Sequence, residues 1–427
     1  MHTHIVLAAG AVAVLLSPVR SLSQAVEPPA DTVLVRLTAQ ALAANPTLQA
    51  SQATARAAIS RIGPAGALPD PMLSAGVMNL ALPRFAFRES DFTEVDLELS
   101  QEFPWPGSLG ARAQAARAEA RRAGADVAAR RREIVVRTAE LYYRLRYVLT
   151  ARATLQRQRR LLATAVEIAT ARYATTSAPQ SDPLQARVAV ARLNAEDADL
   201  AEQQAKVGAE LKALRNIRGS ERLTIELIRP ETVPVVLHGA QPGAALTPDS
   251  LPAHPRLVAR RAAVEAAERT VRVEQLAARP DFSITTRYGA RPLGADFFSA
   301  FVGIRVPLWA GRKQGRLADA ARADADAARA ELAEETVGLQ AELEAAQAAV
   351  ASGETRLRLL TTQVIPSAFA TVEAVLRSYR VGQAPFLNVL AAEDSFYRAE
   401  LEAAMVAAEH LTHLVMLEQL LLTEDAQ

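Results

Sequence analysis

The chain contains no cysteine. That excludes disulfides, thiol catalysis, thiolate metal sites and a lipid-anchored N-terminal Cys. Aromatic residues make up only 5% of the 427, although 50% are hydrophobic. The difference is largely alanine, which favours helix but fills little core volume. An excess of one charge is also missing: 48 Lys and Arg face 47 Asp and Glu. A nucleic-acid binder would show a basic excess or stripe. The arginines from Arg112 to Arg132 are interleaved with Glu119, Asp126 and Glu133, as on a solvated helix face. Beyond the N-terminus no stretch reaches the roughly 18 consecutive apolar residues of a membrane-spanning helix. If this chain enters a membrane, it does so as strands. It is also too long for one small core, so several domains or an extended architecture are expected.

The N-terminus reads as an export signal. Ile5 to Leu16 is an unbroken apolar or Gly stretch, the length of a signal-peptide core and too short to span a bilayer. Ser23-Gln24-Ala25 offers small residues for cleavage, so residues 1–25 are predicted to be a signal peptide. His2 and His4 stand where Lys or Arg would be usual.

The rest is an internal repeat. Tyr173, Ala178-Pro179, Asp182, Leu184 and Ala186 recur in register as Tyr379, Ala384-Pro385, Asn388, Leu390 and Ala392. Trp105-Pro-Gly107 recurs as Trp309-Ala-Gly311, Pro69-Asp70 as Pro280-Asp281, and Asn45-Pro46 as His254-Pro255. These landmarks keep their order. The units so defined are 26–218 and 254–427, joined by a Pro-rich segment at 219–253.

Each unit opens with a helical segment, then breaks the helical period. Thr93, Val95, Leu97 and Leu99 alternate with Glu94, Asp96, Glu98 and Ser100. In the second unit Phe298, Ala300, Val302, Ile304, Val306 and Leu308 alternate with Ser299, Gly303 and Arg305. Period two with one apolar face predicts strands, one hairpin per unit, within about 72–103 and 281–308. Long Pro-free stretches follow, from Gly107 to about Ala174 and from Gly311 to Ile365. Their apolar positions, from Ile134 to Tyr173 and from Leu339 to Val364, alternate spacings of three and four, as coiled-coil seams do. A helix of about 65 residues would be roughly 100 Å long, far beyond globular practice. After each Ala-Pro a second helix returns, so long helices are predicted over 107–217 and 311–422. The fold class is therefore mainly α with a small β part: two strand hairpins, each heading a long helical hairpin.

Four strands cannot close a membrane barrel, since known barrels begin at eight. An open edge in lipid leaves backbone groups unpaired at several kcal/mol each. Strands in a membrane would thus require chains to associate, with the helices forming a sheath outside the bilayer.

These residues resemble the TolC-like outer-membrane efflux channels. The resemblance rests on the two repeats, each strand pair, long helix, tip and returning helix. It rests also on Tyr379-x-x-Gly382 and Asn388-Val-Leu390-Ala-Ala392 at the tip. Leu68-Pro-Asp-Pro-Met72 and Phe103-Pro-Trp-Pro-Gly107 are similar to the branch serving heavy-metal efflux. The resemblance implies a homotrimer with a twelve-stranded outer-membrane barrel and a periplasmic helical tunnel, an α-barrel. It implies docking of the tip onto a periplasmic adaptor (membrane fusion) protein attached to an inner-membrane pump. The exposed tip would offer Leu184, Ala186, Leu390 and Ala392 as an apolar surface, with Asp182 and Asn388 setting polar register. Tyr173, Tyr379 and Gly382 shape the turn. Val95, Leu97, Leu99, Val302, Ile304 and Val306 would face lipid. The chain departs from the pattern at Thr176, where glycine is usual, and at Asn388 and Ala391, where relatives carry carboxylates. It also lacks the Cys of a lipid anchor. A periplasmic coiled-coil protein without a pore is the alternative. A pump adaptor, though, has one helical hairpin set among small β domains.

Enzyme chemistry finds no foothold: there is no nucleophile elbow, P-loop or dinucleotide fingerprint, and no cofactor is predicted. His410-x-x-His413 with Glu409 and Met416 offers imidazole and thioether near one helix face, a set that suits copper or zinc. Without a third strong ligand, HxxH reads as two packing or surface histidines. Met72 and Met78 read as strand-end packing, and Tyr142, Tyr143 and Tyr147 as core or groove fillers.

Overall fold

The computed structural model describes residues 31–80, 86–88, 90–175, 177–221, 223–233 and 253–421. The export segment 1–25, Thr176, Leu422 and most of the 219–253 linker lie outside the described residues.

Four antiparallel strands form one sheet in the order β1 (Met72–Met78), β2 (Glu94–Phe103), β3 (Asp281–Ala290), β4 (Phe297–Arg305). The two hairpins lie side by side, and β2 against β3 joins the units. β1 and β4 are the edges. Register decides the faces, because side chains alternate along a strand. Ala75 opposite Leu97, Leu97 opposite Tyr288 and Tyr288 opposite Phe298 set one face. By the same alternation it carries Leu73, Val77, Val95, Leu99, Ile284, Val302 and Ile304, all exposed. The opposite face carries Ser74 beside Glu98, Glu98 beside Arg287, and Arg287 beside Ser299.

Helices α1 (Thr32–Ala44), α2 (Pro46–Ser60) and α3 (Ile62–Gly66) precede the first hairpin. The second hairpin is preceded by α6 (Pro255–Leu276), in the place of α2 in the repeat. The recurring Asn45-Pro46 and His254-Pro255 are helix starts. Asn45 Oδ1 accepts from the Leu48 N–H at 3.1 Å, and His254 Nδ1 from the Arg256 N–H at 3.3 Å. Each Pro takes the first helical position, where its missing N–H is not needed.

The spine is α4 (Ser108–Ala174), 67 residues and roughly 100 Å long at 1.5 Å per residue. It opens at Gly107, whose φ of +90° would strain any side chain. α4 packs against α2, α5 (Ser181–Leu214), α6 and α9 (Phe386–Leu421). In the second unit α7 (Gln314–Leu359) runs into a five-residue π turn, Leu360–Val364, and continues as α8 (Ile365–Arg380). There is no single core. Separate apolar clusters run along the shaft, one around Tyr142, Tyr143, Leu357 and Leu360, another around Leu155, Leu162, Tyr379 and Phe386.

Three sequence expectations are corrected. The first seam does bury Ile134, Thr138, Leu141, Leu145, Val148, Leu155, Leu162 and Ala169, but it does not end on Tyr173, which is 43% exposed. It passes through Gln158, Ala165 and Ala169, and the next step of three is the half-buried Arg172. The second seam buries Leu339, Leu343, Ala346, Leu357 and Leu360, then leaves Val364 44% exposed and turns Ile365 inward. The π turn is the cause: the Ile365 N–H reaches back five residues to the Leu360 carbonyl. Third, one window within Gln314–Arg380 has mean hydropathy 1.4, apolar enough by composition to cross a bilayer. The helix is only 6% buried over that window.

Candidate functional site

Two places hold the residues singled out in the sequence. The first is the sheet. Val95, Leu97, Leu99, Val302 and Ile304 share its apolar face, while Val306 lies one residue past β4, also exposed. On the other face Arg287 bridges two acids of β2, with Nη2 at 2.7 Å from Glu94 Oε1 and Nε at 3.7 Å from Asp96 Oδ2. Glycine makes room for this cluster. A Cβ at Gly289 would stand 2.6 Å from Glu94 Oε2, and Gly76 lies opposite Asp96. One face of the sheet is thus mainly apolar, while the other carries this charged cluster along with exposed Phe297 and Phe301.

The second place is the tip, where both helical hairpins turn. Each outgoing helix ends on the same backbone bond. The Ser177 N–H donates to the Arg172 carbonyl at 2.8 Å, and the Gln383 N–H to the Ser378 carbonyl at 2.9 Å. This six-to-one closure favours a left-handed residue just past the helix, and Gly382, with φ of +80°, supplies it. The returning helices begin beyond Ala178-Pro179 and Ala384-Pro385.

The two tips are clasped to each other. Tyr379, 2% exposed, donates its hydroxyl to Asp182 Oδ2 at 3.1 Å, and Asp182 is itself 7% exposed. The Arg172 guanidinium lies 4.5 Å from the centre of the Tyr379 ring, donates to the Tyr379 carbonyl, and donates to the Ser177 carbonyl at 3.0 Å. Phe386 closes the other side of the ring at 5.2 Å. Burial raises the Tyr379 hydroxyl to about 12, the Asp182 hydrogen bond and charge adding to it and Arg172 opposing it. The phenol therefore remains a donor across the physiological range.

The other predicted tip residues divide. Ala186 and Ala392 are 0% and 8% exposed, so they pack the hairpins rather than line an open surface. Leu390 is half-buried and packs onto the same cluster as Tyr379. Leu184, Asn388 and Tyr173 are exposed, beside Val381 and Leu387, which the sequence reading did not single out. It also missed Arg172. The only signal for Arg172 was its place one residue before the repeated Tyr173. A further buried acid, Glu393, stands one helical turn past Val389; burial raises its carboxyl to about 7.

Among the described residues no group of three or more His, Cys, Asp or Glu is placed to hold a metal ion. His410 is buried against α7, where a Cβ at Gly353 would come within 2.9 Å of its Nδ1. Glycine there lets α7 and α9 approach closely.

With this geometry in view, the sequence profile of the outer membrane efflux protein family matches residues 37–217 and 246–421. The chain belongs to the outer membrane efflux protein family. It is a channel of the outer membrane, with its helical part on the periplasmic side, and the family is not one of enzymes. No curated protein matches the sequence. Among solved structures, the fold is similar to CusC, with a TM-score of 0.76, 16% identity and 92% of each chain covered. It is similar to the outer-membrane channel OprN, with a TM-score of 0.76, 20% identity, and 92% of this chain and 90% of that one covered. It is similar as well to VceC from Vibrio cholerae, with a TM-score of 0.73, 20% identity, and 91% and 96% covered. This efflux protein thus shares across nearly its whole length a fold built from four strands and long helical hairpins.

Proposed function

We propose that three copies of this chain form one passive exit duct. The observation that carries this is the four-stranded sheet: among the described residues both its edges are open, and one face is mainly apolar, with Leu73, Val77, Val95, Leu97, Leu99, Ile284, Val302 and Ile304 exposed. Lipid favours such a face but not the edges. Pairing β4 of one copy with β1 of the next removes every edge, and three copies of four strands make a twelve-stranded barrel. Leu97 and its neighbours then face lipid, while Glu94, Asp96, Glu98 and Arg287 line the lumen. The helices continue the tube, each copy's exposed Ala-rich faces covered by its neighbours.

The tip is the gate and the docking end. The Arg172–Tyr379–Asp182 clasp holds the two hairpins of a copy together in the closed arrangement. Exposed Leu184, Val381 and Leu387 meet the helical end of a periplasmic adaptor bound to an inner-membrane pump, which supplies the energy. Heavy-metal cations are the proposed cargo, on the resemblance of Leu68–Met72 and Phe103–Gly107 and the carboxylates along the lumen. Heat-modifiable mobility and crosslinking of the outer-membrane fraction test the assembly. A monomer free in the periplasm would end this reading. A deletion strain that keeps full metal resistance, yet loses resistance to organic compounds, would end the cargo assignment.

A further inference from the structure

The two units differ in one feature that their sequences do not share: α4 is regular to its end, whereas the corresponding helix of the second unit is interrupted at Leu360–Val364. The seams show what this does. In α4 the inward positions run Leu155, Gln158, Leu162, Ala165, Ala169 and end on Arg172, one residue before the repeated Tyr173. In the second unit they run Leu357 and Leu360, then jump five to Ile365, and continue through Ala368, Val372 and Val375 to Tyr379. Without the jump the same spacing would pass through Val364 and Ser367 and end on Ser378. That is again one residue before the tyrosine, the phase that α4 has. A π turn is one residue added to an α-helix, and one residue is about 100° of rotation.

We infer that the Leu360–Val364 turn is the positioning device of the tip clasp: by taking up one residue without the rotation that residue would add to a regular helix, it brings Tyr379 rather than Ser378 onto the seam, out of the phase of Tyr173 and into contact with Arg172 and Asp182. Pro366 accounts for its place. A regular helix would need a Pro366 N–H to reach the Thr362 carbonyl, and proline has none. Thr361 and Thr362 add side-chain bonds to the carbonyls of Leu357 and Arg358, at 2.8 and 2.7 Å, which favour a bend. The exposure of the two tyrosines, 43% against 2%, is the internal control. Pro366 and the turn are positioning elements, since none of these residues is part of the clasp.

This inference rests on the clasp being the gate, but its test does not. The chain has no cysteine, so Asp182→Cys with Tyr379→Cys makes the only thiols. The pair removes the clasp itself, and a short bifunctional thiol reagent then reads seam phase alone. The pair is made in the full-length chain, in one lacking Gln363, and in one lacking Thr362 and Gln363. Removing one residue straightens the helix but keeps Tyr379 in phase, so crosslinking in the outer membrane should persist. Removing two turns position 379 away, and crosslinking should be lost. In that shortened chain, a cysteine at position 380 in place of 379 should restore it. Loss on deleting Gln363 alone, or equal yield in all three chains, would overturn the inference. If the two-residue deletion does not reach the membrane, the one-residue deletion against full length decides. Failure of the gate reading shows elsewhere, as a Tyr379→Phe channel that stays closed while the crosslinking pattern holds.

Discussion

Replacing Tyr379 by Phe isolates the clasp's hydrogen bond. The ring, its contact with Phe386 and the stacked Arg172 guanidinium all remain. What is lost is the hydroxyl at 3.1 Å from Asp182 Oδ2. Asp182 is 7% exposed, and among the described residues its other side-chain hydrogen bond is from Ser181 Oγ at 3.4 Å, a weak bond at best. The variant therefore leaves a buried carboxylate nearly without partners. A hydrogen bond to a charged group contributes about 1.5–3 kcal/mol. At about 1.4 kcal/mol per factor of ten, the closed tip should lose roughly 10- to 150-fold of its advantage over the open one. Single-channel recording of the purified protein in planar bilayers reads this directly as a rise in open probability. Tyr173→Phe, at the repeat-equivalent but exposed position, should change nothing. An unaltered Tyr379→Phe channel, or an equal response from both variants, would refute the clasp as a gate.

Other outcomes follow from the same geometry. Leu97→Arg should destabilise the barrel by about 2–4 kcal/mol if it sits near the bilayer midplane, and Asp96→Asn should be mild, as urea titration of the membrane-inserted protein would measure. Leu387→Arg should abolish efflux with trimer level intact, whereas Ala186→Leu should cost about 1–3 kcal/mol by overpacking and lower the trimer itself on native gels. Gly353→Val should do the same by driving α7 away from His410. Glu393→Gln should stabilise the shaft in a pH-dependent way. A carboxyl raised from 4.5 to about 7 in the fold is a liability that begins above pH 4.5 and is complete above 7, reaching on the order of 3 kcal/mol. Thermal unfolding should show the variant's advantage at pH 8 and none at pH 4; an advantage that persists at low pH would mean that Gln improves packing instead.

The strand hairpins were legible because alternation is a two-residue signal: Glu94 to Ser100 states both faces outright. The long helices were legible from missing proline, and the repeat from paired landmarks whose physical role is now plain, Asn45-Pro46 and His254-Pro255 being two helix starts. The tip was harder. Alanine looks the same on either side of a helix, so nothing distinguished buried Ala186 and Ala392 from an exposed apolar surface. The π turn was concealed for a different reason. Leu360 to Val364 is a spacing of four, which a heptad count accepts, and only Pro366, two residues on, signals that the count has slipped. Arg172 was passed over because the same count placed Tyr173 at the seam.

Phase also explains why two copies of one unit can form complementary halves. Had both seams ended one residue before their tyrosines, Arg172 would meet Ser378, with no ring to stack on. Had both ended on the tyrosines, Tyr173 would meet Tyr379 and leave Asp182 with a donor but no cation nearby. A difference of one residue brings a guanidinium from one hairpin onto an aromatic ring from the other, an arrangement that contributes about 0.5–2 kcal/mol depending on how dry it is. The strand end gains nothing from such asymmetry, because β2 and β3 pair in unbroken register across the joint between units. The π turn therefore lies below the strands, in the last third of the shaft, where it sets which residue of the tip meets the seam and leaves the barrel register untouched.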